Sequence, residues 1–428
     1  MGVNKERKST EFWIIAAYMV CNIIACWWWE LSGLRFPFQV GLNNSVFLCV
    51  ISIRYLLVIC KEKRIPKPEV IDIAVIMLAV FAIISTILSV NIENSLWGTF
   101  TRDEGIYALI TYYLLFFCAS KISDSSEKKC LLQLFLFLGI FSCLVGIISG
   151  YGILDFLPSR WDGRAALPFG NPNFYCTYCC LVTAISMGVI FYAEDKRFRF
   201  LGYVGYSFSI MAGLETNGSM CFSGNICAIL LVIFVELVLR RGKKSHLILR
   251  KQMLKMFCLI IIYVALILLN EFTRDSAFSN EMLANWNDLE KGWFADSWFS
   301  GRMGVWKAAF RVLPDYWLHG VGVDCFQSAM SSPKLNGRFI RFDKAHNEYL
   351  QILLTEGVFA CITYIWFLFI IFIRGLKQSV QHIENKDFTF LALFLAFFSY
   401  IAQAFFNISV PNIAPYFWIF CGLFYERK

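Results

Sequence analysis

The sequence predicts an all-α polytopic membrane protein, with about twelve transmembrane helices and one large extracytoplasmic loop between helices 9 and 10. Three observations lead to this prediction. Hydrophobic residues make up 58% of the 428 residues and charged residues only 16%, which is not the composition of a soluble domain. The mean hydropathy is positive. Apolar runs of membrane-spanning length recur along the chain, and a single long polar stretch interrupts them.

Most of the apolar runs are about 18 to 24 residues long, so each can cross the hydrocarbon as a helix that satisfies its own backbone hydrogen bonds. The last run, from Asn412 to Tyr425, is shorter than the others. The runs begin near Phe12, Gly41, Val70, Gly105, Cys130, Asn173, Phe200, Gly224, Met253, Leu350, Phe388 and Asn412.

These runs divide the chain into three parts. Residues 1–269 hold transmembrane helices 1–9, residues 270–349 form the extracytoplasmic loop, and residues 350–428 hold helices 10–12. Because the loop is the one long stretch outside the predicted membrane spans, we expect it to contain the catalytic segment.

Basic residues are distributed unequally between the two sides of the predicted membrane. Of the 39 Lys and Arg residues, 25 lie in the terminal segments and connections of one side, and the positive-inside rule makes that side cytoplasmic. We therefore expect both termini in the cytoplasm, a signal anchor in the first apolar run, and the long loop outside. The net charge of +8 follows from this topology and does not indicate nucleic-acid binding, which would need a clustered basic face on a soluble domain.

The sixteen cysteines do not have the spacing of a secreted scaffold. Nearly all lie within predicted spans, and Cys325 is the only one in the outer loop, so we expect neither a disulfide framework nor a zinc site. Cys176 and Cys179 have the CxxC spacing, but on an apolar helix we expect no metal or redox function from them.

Arginines on the predicted outer face are candidates for binding a phosphate or pyrophosphate, because the planar guanidinium group holds phosphate oxygens with two hydrogen bonds. For a single arginine, snorkelling to lipid headgroups or pairing with a neighbour such as Asp103 or Asp162 is the simpler interpretation. Several arginines on one face, together with a histidine, favour an anion site. The candidates are Arg102, Arg160, Arg164, Arg302 and Arg311.

His346 is the candidate base, since it lies where the outer loop re-enters the membrane. The sequence predicts that His346, Leu353 and Gly357 share one helical stripe. A helix N-terminus disfavours imidazolium and would lower the histidine pKa. The alternative is a capping or packing role. His319 is a weaker candidate, because the glycines around it indicate a turn.

Three segments resemble the O-antigen ligase and polymerase family of bacterial membrane glycosyltransferases. GRMGVWKAAFRVLPDYWLHGVGVDCF is similar to the family's Arg, Trp and glycine-turn signature, and AHNEYLQILLTEGVFA is similar to its HNxxL…G helix. LPFGNPNFYCTY resembles the NPN element that opens a middle span. The resemblance covers most of the chain in topology and mainly residues 301–360 in motifs.

The resemblance implies transfer of a glycan from an undecaprenyl-pyrophosphate-linked donor to an acceptor glycan, lipid or protein hydroxyl on the outer face of the bacterial plasma membrane. It implies that Arg302 and Arg164, and also Arg102, bind the pyrophosphate, and that Arg302 and His346 are catalytic, with His346 as the base or the acceptor-orienting group. No metal and no other cofactor is expected.

Trp298 and Trp306 are candidates for stacking on sugars, with interfacial anchoring as the alternative. Ligase, polymerase and protein O-oligosaccharyltransferase activities remain open.

The sequence departs from the family at LETNGSMCFSG, where Ser219 stands in the place of an expected arginine. Either Arg164 or Arg102 takes over the role of that arginine, or the activity or the donor differs.

The competing interpretation is a multi-pass transporter or flippase of lipid-linked glycans, and a non-enzymatic scaffold is a further one. Carriers built from repeats show corresponding halves and ionisable groups at mid-membrane. The long loop breaks such symmetry, and the spans hold few charges, of which Arg54 and Glu356 are the clearest. The sequence therefore favours an enzyme.

Overall fold

The protein is all-helical wherever the computed structural model describes it. The described residues are 8–32, 40–62, 67–153, 164–218, 220–237, 246–274, 279–280, 283, 286–287, 290, 295–298, 301–331, 342–384 and 387–425.

The helices follow the apolar runs closely in the first part of the chain and less closely after residue 300. They are α1 (Thr10–Ser32), α2 (Val40–Glu62), α3 (Val70–Ile87), α4 (Ile92–Trp97), α5 (Ile106–Ser120), α6 (Ser125–Gly150), α7 (Pro172–Tyr192), α8 (Lys196–Glu215), α9 (Met220–Leu237), α10 (His246–Thr273), α11 (Arg302–Tyr316), α12 (Phe326–Met330), α13 (Glu348–Thr355), α14 (Val358–Glu384), α15 (Phe388–Gln403) and α16 (Ala414–Phe424).

Within the described residues, seven helices are long and apolar enough to cross a membrane. Four shorter apolar stretches lie in α5, α9, α15 and α16. The remaining predicted span corresponds to α8, which starts with a basic first turn and ends at Glu215. The prediction of a polytopic membrane protein is thus supported, and the total of twelve spans stays a prediction.

The central helix is α7, whose apolar span is 94% buried. It packs against α6, α8, α9 and α15. Gly188 allows the close approach of α15, since a Cβ there would lie 2.5 Å from the Cα of Ala392. At the start of α7, the side chain of Asn171 accepts a hydrogen bond from the Asn173 N–H at 2.8 Å, and Pro172 occupies the first turn. These capping contacts fix the NPN element at one end of the core.

Cys176 on α7 is disulfide-bonded, whereas Cys179 is free. The partner of Cys176 lies outside the described side chains. One bonded cysteine is not a disulfide framework, and the expectation that this CxxC pair carries no metal or redox function stays a prediction.

The predicted span from Leu350 is two helices, α13 and α14, separated at Glu356 and Gly357. Gly357 has a φ of +91°, a left-handed value that a helix cannot contain. The prediction of one stripe through His346, Leu353 and Gly357 is wrong for this reason. His346 precedes the α13 cap, with a φ of +49°, and Gly357 follows the end of that helix.

A turn over residues 317–322 satisfies the backbone at this break. The Val321 N–H donates to the Leu354 carbonyl at 2.9 Å, and the Gly322 N–H donates to the Thr355 carbonyl at 3.0 Å. The Val358 N–H donates in turn to the Trp317 carbonyl at 2.8 Å. The turn predicted around His319 is confirmed, and it holds part of the long loop against the transmembrane helices.

Gly320→Ala should destabilise the fold, because Gly320 has a φ of +77° and a Cβ there would lie 2.1 Å from the Thr355 carbonyl oxygen. Gly152→Ala is the matched control, since Gly152 also has a positive φ, +63°, but has no atom within 4 Å of a built Cβ. Backbone strain should lower the free energy of unfolding of the control by about 1 kcal/mol. Gly320→Ala should lower it by clearly more. Thermal unfolding of both purified variants in detergent measures the difference, and equal midpoints would contradict the tight contact.

Candidate active site

One cavity of about 600 Å³ brings together three of the residues that the sequence singled out, Arg102, Arg164 and His346. Its walls come from residues 100–103, residues 164–174, residues 342–346 and residues 410–412, with contributions from Cys26 and Val40. The volume lies in the range of ligand-binding pockets. Positions far apart in sequence thus form one chamber at the ends of several helices.

Arg102 is held by a carboxylate on the opposite wall. Its Nε donates to Asp343 Oδ2 at 2.6 Å and its Nη2 to Asp343 Oδ1 at 2.9 Å. The guanidinium group also lies 5.3 Å from the centre of the Phe174 ring. Burial opposes ionisation of Asp343, but the hydrogen bonds and charge of Arg102 hold the pKa of that carboxyl below its usual value. Asp343 is therefore ionised and forms an ion pair with Arg102.

Arg164 is half-buried and enters the cavity from the segment that leads into α7. The next residue is fixed, because the Ala165 N–H donates to the Glu215 carbonyl at 2.9 Å. Arg164 forms no ion pair with a described residue, so its guanidinium group is open to an anion.

His346 lies between the cavity and the core. Its neighbour Asn347 caps α13, with the side-chain oxygen accepting from the Leu350 N–H at 3.0 Å. The imidazole contacts Phe342 edge to face, with ring centres 5.4 Å apart. Its Nδ1 atom is buried, and it has no hydrogen-bond partner among the described residues.

Burial lowers the pKa of His346 to about 3, and the positive charges of Arg302 and Arg102 lower it further than Asp343 raises it. The imidazole is therefore uncharged at neutral pH. The sequence predicted a lowered pKa for His346 because of a helix N-terminus. In the structure the pKa is lowered by burial and by two guanidinium groups.

Arg302 begins α11 directly after Gly301 and is 8% exposed. It does not line the cavity, but its charge acts on His346. One turn later, Trp306 donates its indole N–H to the Ala345 carbonyl at 2.9 Å. Residues four apart share a helix face, so α11 presents Arg302 and Trp306 to the same segment, next to His346.

The two tryptophans predicted to stack on sugars have different surroundings. Trp306 is half-buried and uses its indole N–H to hold Ala345. Trp298 is partly buried ahead of α11, with its backbone N–H donating to the Ala295 carbonyl at 3.0 Å. Neither lines the cavity, and their role in sugar binding stays a prediction.

The other residues named from the sequence do not enter the cavity. Arg311 is exposed on α11, and the His319 Nδ1 lies 2.7 Å from the Gly320 carbonyl oxygen in the turn. Arg160 and Ser219 lie outside the described residues. The described residues also include no group of three or more His, Cys, Asp and Glu side chains arranged as metal ligands.

Lys344 anchors the segment between Asp343 and His346, and sequence analysis gave it no role. Its ammonium group is buried and lies 2.7 Å from Glu104 Oε2 and 2.7 Å from Asp324 Oδ1. Burial by itself lowers the pKa of Lys344, but the two carboxylates raise it above its usual value. Charged residues in three separate connections thus meet at one point.

Both carboxylates make further hydrogen bonds. Asp324 Oδ2 accepts from the Thr99 N–H at 2.5 Å and from its hydroxyl at 2.9 Å. Glu104 Oε1 accepts from the Ser409 hydroxyl at 2.7 Å and from the Tyr112 hydroxyl at 3.2 Å. Glu104 could have been suspected from the polar run TRDEG beside Arg102, but the sequence does not show its partner.

Residues 202–365 match the family model described as O-Antigen ligase. The match covers less than half of the chain, and within it the chain is similar to that family. The matched stretch runs from α8 into α14 and contains Arg302 and His346, whereas Arg102 and Arg164 reach the cavity from outside the matched residues. No curated protein matches the chain. The family match and the apolar helices together support a membrane enzyme of glycan processing in polysaccharide biosynthesis.

Lys344→Met should destabilise the protein by about 3 to 5 kcal/mol, because Glu104 and Asp324 would remain buried without their cation. Lys307→Met is the matched control, since Lys307 pairs with Asp296 at 2.7 Å on the surface and such pairs contribute about 0 to 1 kcal/mol. Chemical unfolding in detergent gives both values. Equal stability of the two variants would show that the buried ion pairs do not hold the site together.

Proposed function

We propose that this protein is a membrane glycosyltransferase that transfers or polymerises glycan from an undecaprenyl-pyrophosphate-linked donor onto an acceptor hydroxyl at the outer face of the plasma membrane. The observation that carries the proposal is the cavity shared by Arg102, Arg164 and His346, with Arg302 next to His346. A diphosphate needs positive charge around it, and an acceptor hydroxyl needs a polar group to orient it.

In this proposal Arg164 binds the pyrophosphate first, since its guanidinium group is unpaired among the described residues and lines the cavity. Arg102 donates two hydrogen bonds to the Asp343 carboxylate. It therefore either stabilises negative charge of the diphosphate from a short distance, or exchanges the carboxylate for a phosphate. Arg302 adds a buried positive charge near His346. Together these arginines stabilise the charge that develops on the departing diphosphate.

His346 orients the acceptor. Its uncharged imidazole, with a pKa lowered by burial, can hydrogen-bond a hydroxyl through Nε2, since Nδ1 is buried. The acceptor oxygen loses its proton to a basic group in the cavity and bonds to the anomeric carbon, and the bond from that carbon to the phosphate oxygen breaks. Undecaprenyl pyrophosphate is the leaving group. No metal or other cofactor has a step in this scheme.

The proposal is tested with purified protein in liposomes that contain a lipid-linked glycan. The enzyme should consume the donor and form a longer or relocated glycan only when an acceptor is present. A transporter would instead move the lipid-linked glycan between leaflets without any acceptor, and that result would replace the enzymatic proposal. Supplying lipid, protein and oligosaccharide acceptors in parallel distinguishes ligase, protein transferase and polymerase activities.

Arg302→Ala should abolish transfer, and Arg302→Lys should restore little of it, because a lysine supplies a point charge without the planar fork. Arg311→Ala is the matched control, since Arg311 is exposed on the same helix. Initial rates of transfer at equal amounts of membrane-inserted protein are the measurement. Near-normal activity of Arg302→Lys would mean that only the positive charge at this position is needed, and that a planar guanidinium group is not.

We further propose that both termini are cytoplasmic and that the large loop is extracytoplasmic, because 25 basic residues fall on the other side. A membrane-impermeant thiol reagent added to whole cells should label a cysteine introduced at Asn280 and spare one introduced at Ser245. The parent protein, which has sixteen cysteines, provides the background. Labelling of Ser245→Cys alone would reverse the orientation.

A further inference from the structure

Asp103 lies in the wall of the same cavity and has an unusual backbone conformation. Its φ is +51°, a left-handed value that few residues other than glycine adopt. Gly98 packs directly against it, since a Cβ on Gly98 would lie 2.8 Å from the Asp103 Cα and 2.4 Å from the Glu104 nitrogen. The surrounding backbone therefore holds Asp103 in one position. Strained residues of this kind cluster at functional sites.

Among the described residues of the cavity wall, three side chains could accept a proton, namely Asp103, Asp343 and His346. Asp343 accepts two hydrogen bonds from Arg102 at 2.6 and 2.9 Å, and such a carboxylate is a weak base. His346 is uncharged, and its pKa of about 3 makes the imidazole a poor proton acceptor. Both residues are better suited to binding and orientation than to removing a proton.

The Asp103 carboxylate makes no ion pair and no side-chain hydrogen bond with any described residue, although it is partly buried. Burial, with a smaller contribution from the negative charge of Asp324, raises the pKa of Asp103 to about 6. Such a carboxylate is mostly ionised at neutral pH and accepts a proton more readily than an ordinary aspartate. Proton acceptors in enzymes have pKa values tuned in this direction.

Glu348 is a further acid, two residues after His346, but it lies in a different environment. Its carboxylate accepts from the Tyr364 hydroxyl at 2.6 Å and from the Tyr400 hydroxyl at 3.1 Å. It does not line the large cavity. Asp103 is thus the acid that both faces the cavity and has a free carboxylate among the described residues.

We propose that Asp103 is a catalytic residue whose carboxylate accepts the proton of the acceptor hydroxyl during glycan transfer, an inference that rests on the proposed function. As the acceptor oxygen bonds to the anomeric carbon, its proton moves to a carboxylate oxygen of Asp103. The electron pair of the breaking bond leaves with the diphosphate, which the arginines stabilise. The proton later passes from Asp103 to water, so charge and atoms balance.

Several charged or titratable groups surround Asp103. Arg102 is adjacent in sequence and is neutralised by Asp343, and Asp324 acts on Asp103 from the turn over residues 321–325. The Tyr107 hydroxyl on α5 donates to the Asp103 carbonyl oxygen at 2.9 Å. Among the described residues, the charged or titratable groups around Asp103 are Arg102, Glu104, Tyr107, Arg164, Asp324, Asp343 and His346.

Asp103→Asn is the decisive substitution, because asparagine has the same shape and also adopts left-handed backbone conformations. It should fold normally and lower turnover by about a hundredfold to ten-thousandfold, the range for loss of a general base, with little change in donor binding. Glu93→Gln is the matched control, since Glu93 is an exposed acid in α4 of the same connection. That control should transfer at the parent rate.

The pH dependence separates a proton acceptor from a structural residue. Turnover of the parent enzyme should fall as the pH drops through about 6, because protonated Asp103 cannot accept a proton. Asp103→Asn should lose this dependence, and Asp103→Glu should regain part of the rate together with a pH-dependent limb. His346→Gln should have a lower turnover, but its turnover should still fall as the pH drops through about 6, since His346 does not titrate in this range.

Near-parent turnover of Asp103→Asn would overturn the inference while leaving glycan transfer intact. A parent enzyme without a limb near pH 6 would also overturn it, even if Asp103→Asn failed to fold. Absence of transfer by the parent enzyme, with every donor and acceptor tried, would instead contradict the proposed function. The two failures are therefore distinguishable.

Discussion

The buried ammonium group of Lys344, between the carboxylates of Glu104 and Asp324, is the interaction on which the arrangement of the site depends. Each of these charges would be costly to bury alone. Because each residue lies in a different connection between helices, their pairing brings residues 98–105, residues 321–325 and residues 342–347 together. Two of these connections, residues 98–105 and residues 342–347, also contribute walls of the cavity.

The consequences of this ion pair extend along the chain to both sides of Lys344. Asp343 meets Arg102 in the cavity wall, and the Ala345 backbone is held at both ends, by the Gln351 side chain at 2.8 Å and by Trp306 at 2.9 Å. His346 follows, and its Nδ1 atom has no hydrogen-bond partner in the described part of the chain. The segment is thus fixed before any substrate binds, and fixed charges stabilise a transition state without reorganisation.

The helix break at Gly357 joins the long polar stretch to the membrane helices. The carbonyl groups at the end of α13 accept hydrogen bonds from the turn at Val321 and Gly322, and the Ser85 hydroxyl of α3 donates to the Thr355 carbonyl at 2.6 Å. Backbone groups in a membrane protein must be satisfied by protein. Part of the stretch predicted as a loop is therefore packed against α3 and α13, and α11 contacts the segment that carries His346 through Trp306.

The sequence by itself determined the membrane class, because apolar composition and run length depend on no long-range contact, and it selected Arg102, Arg164 and His346 from their motifs and predicted sidedness. Tertiary structure decided what those residues contact. The pairing of Arg102 with Asp343 joins positions 241 residues apart, which local patterns do not encode. Among the described residues the carboxylate of Asp103 has no partner, and burial keeps His346 uncharged. Both properties arise only when separate connections pack together, since pKa values depend on neighbours in space.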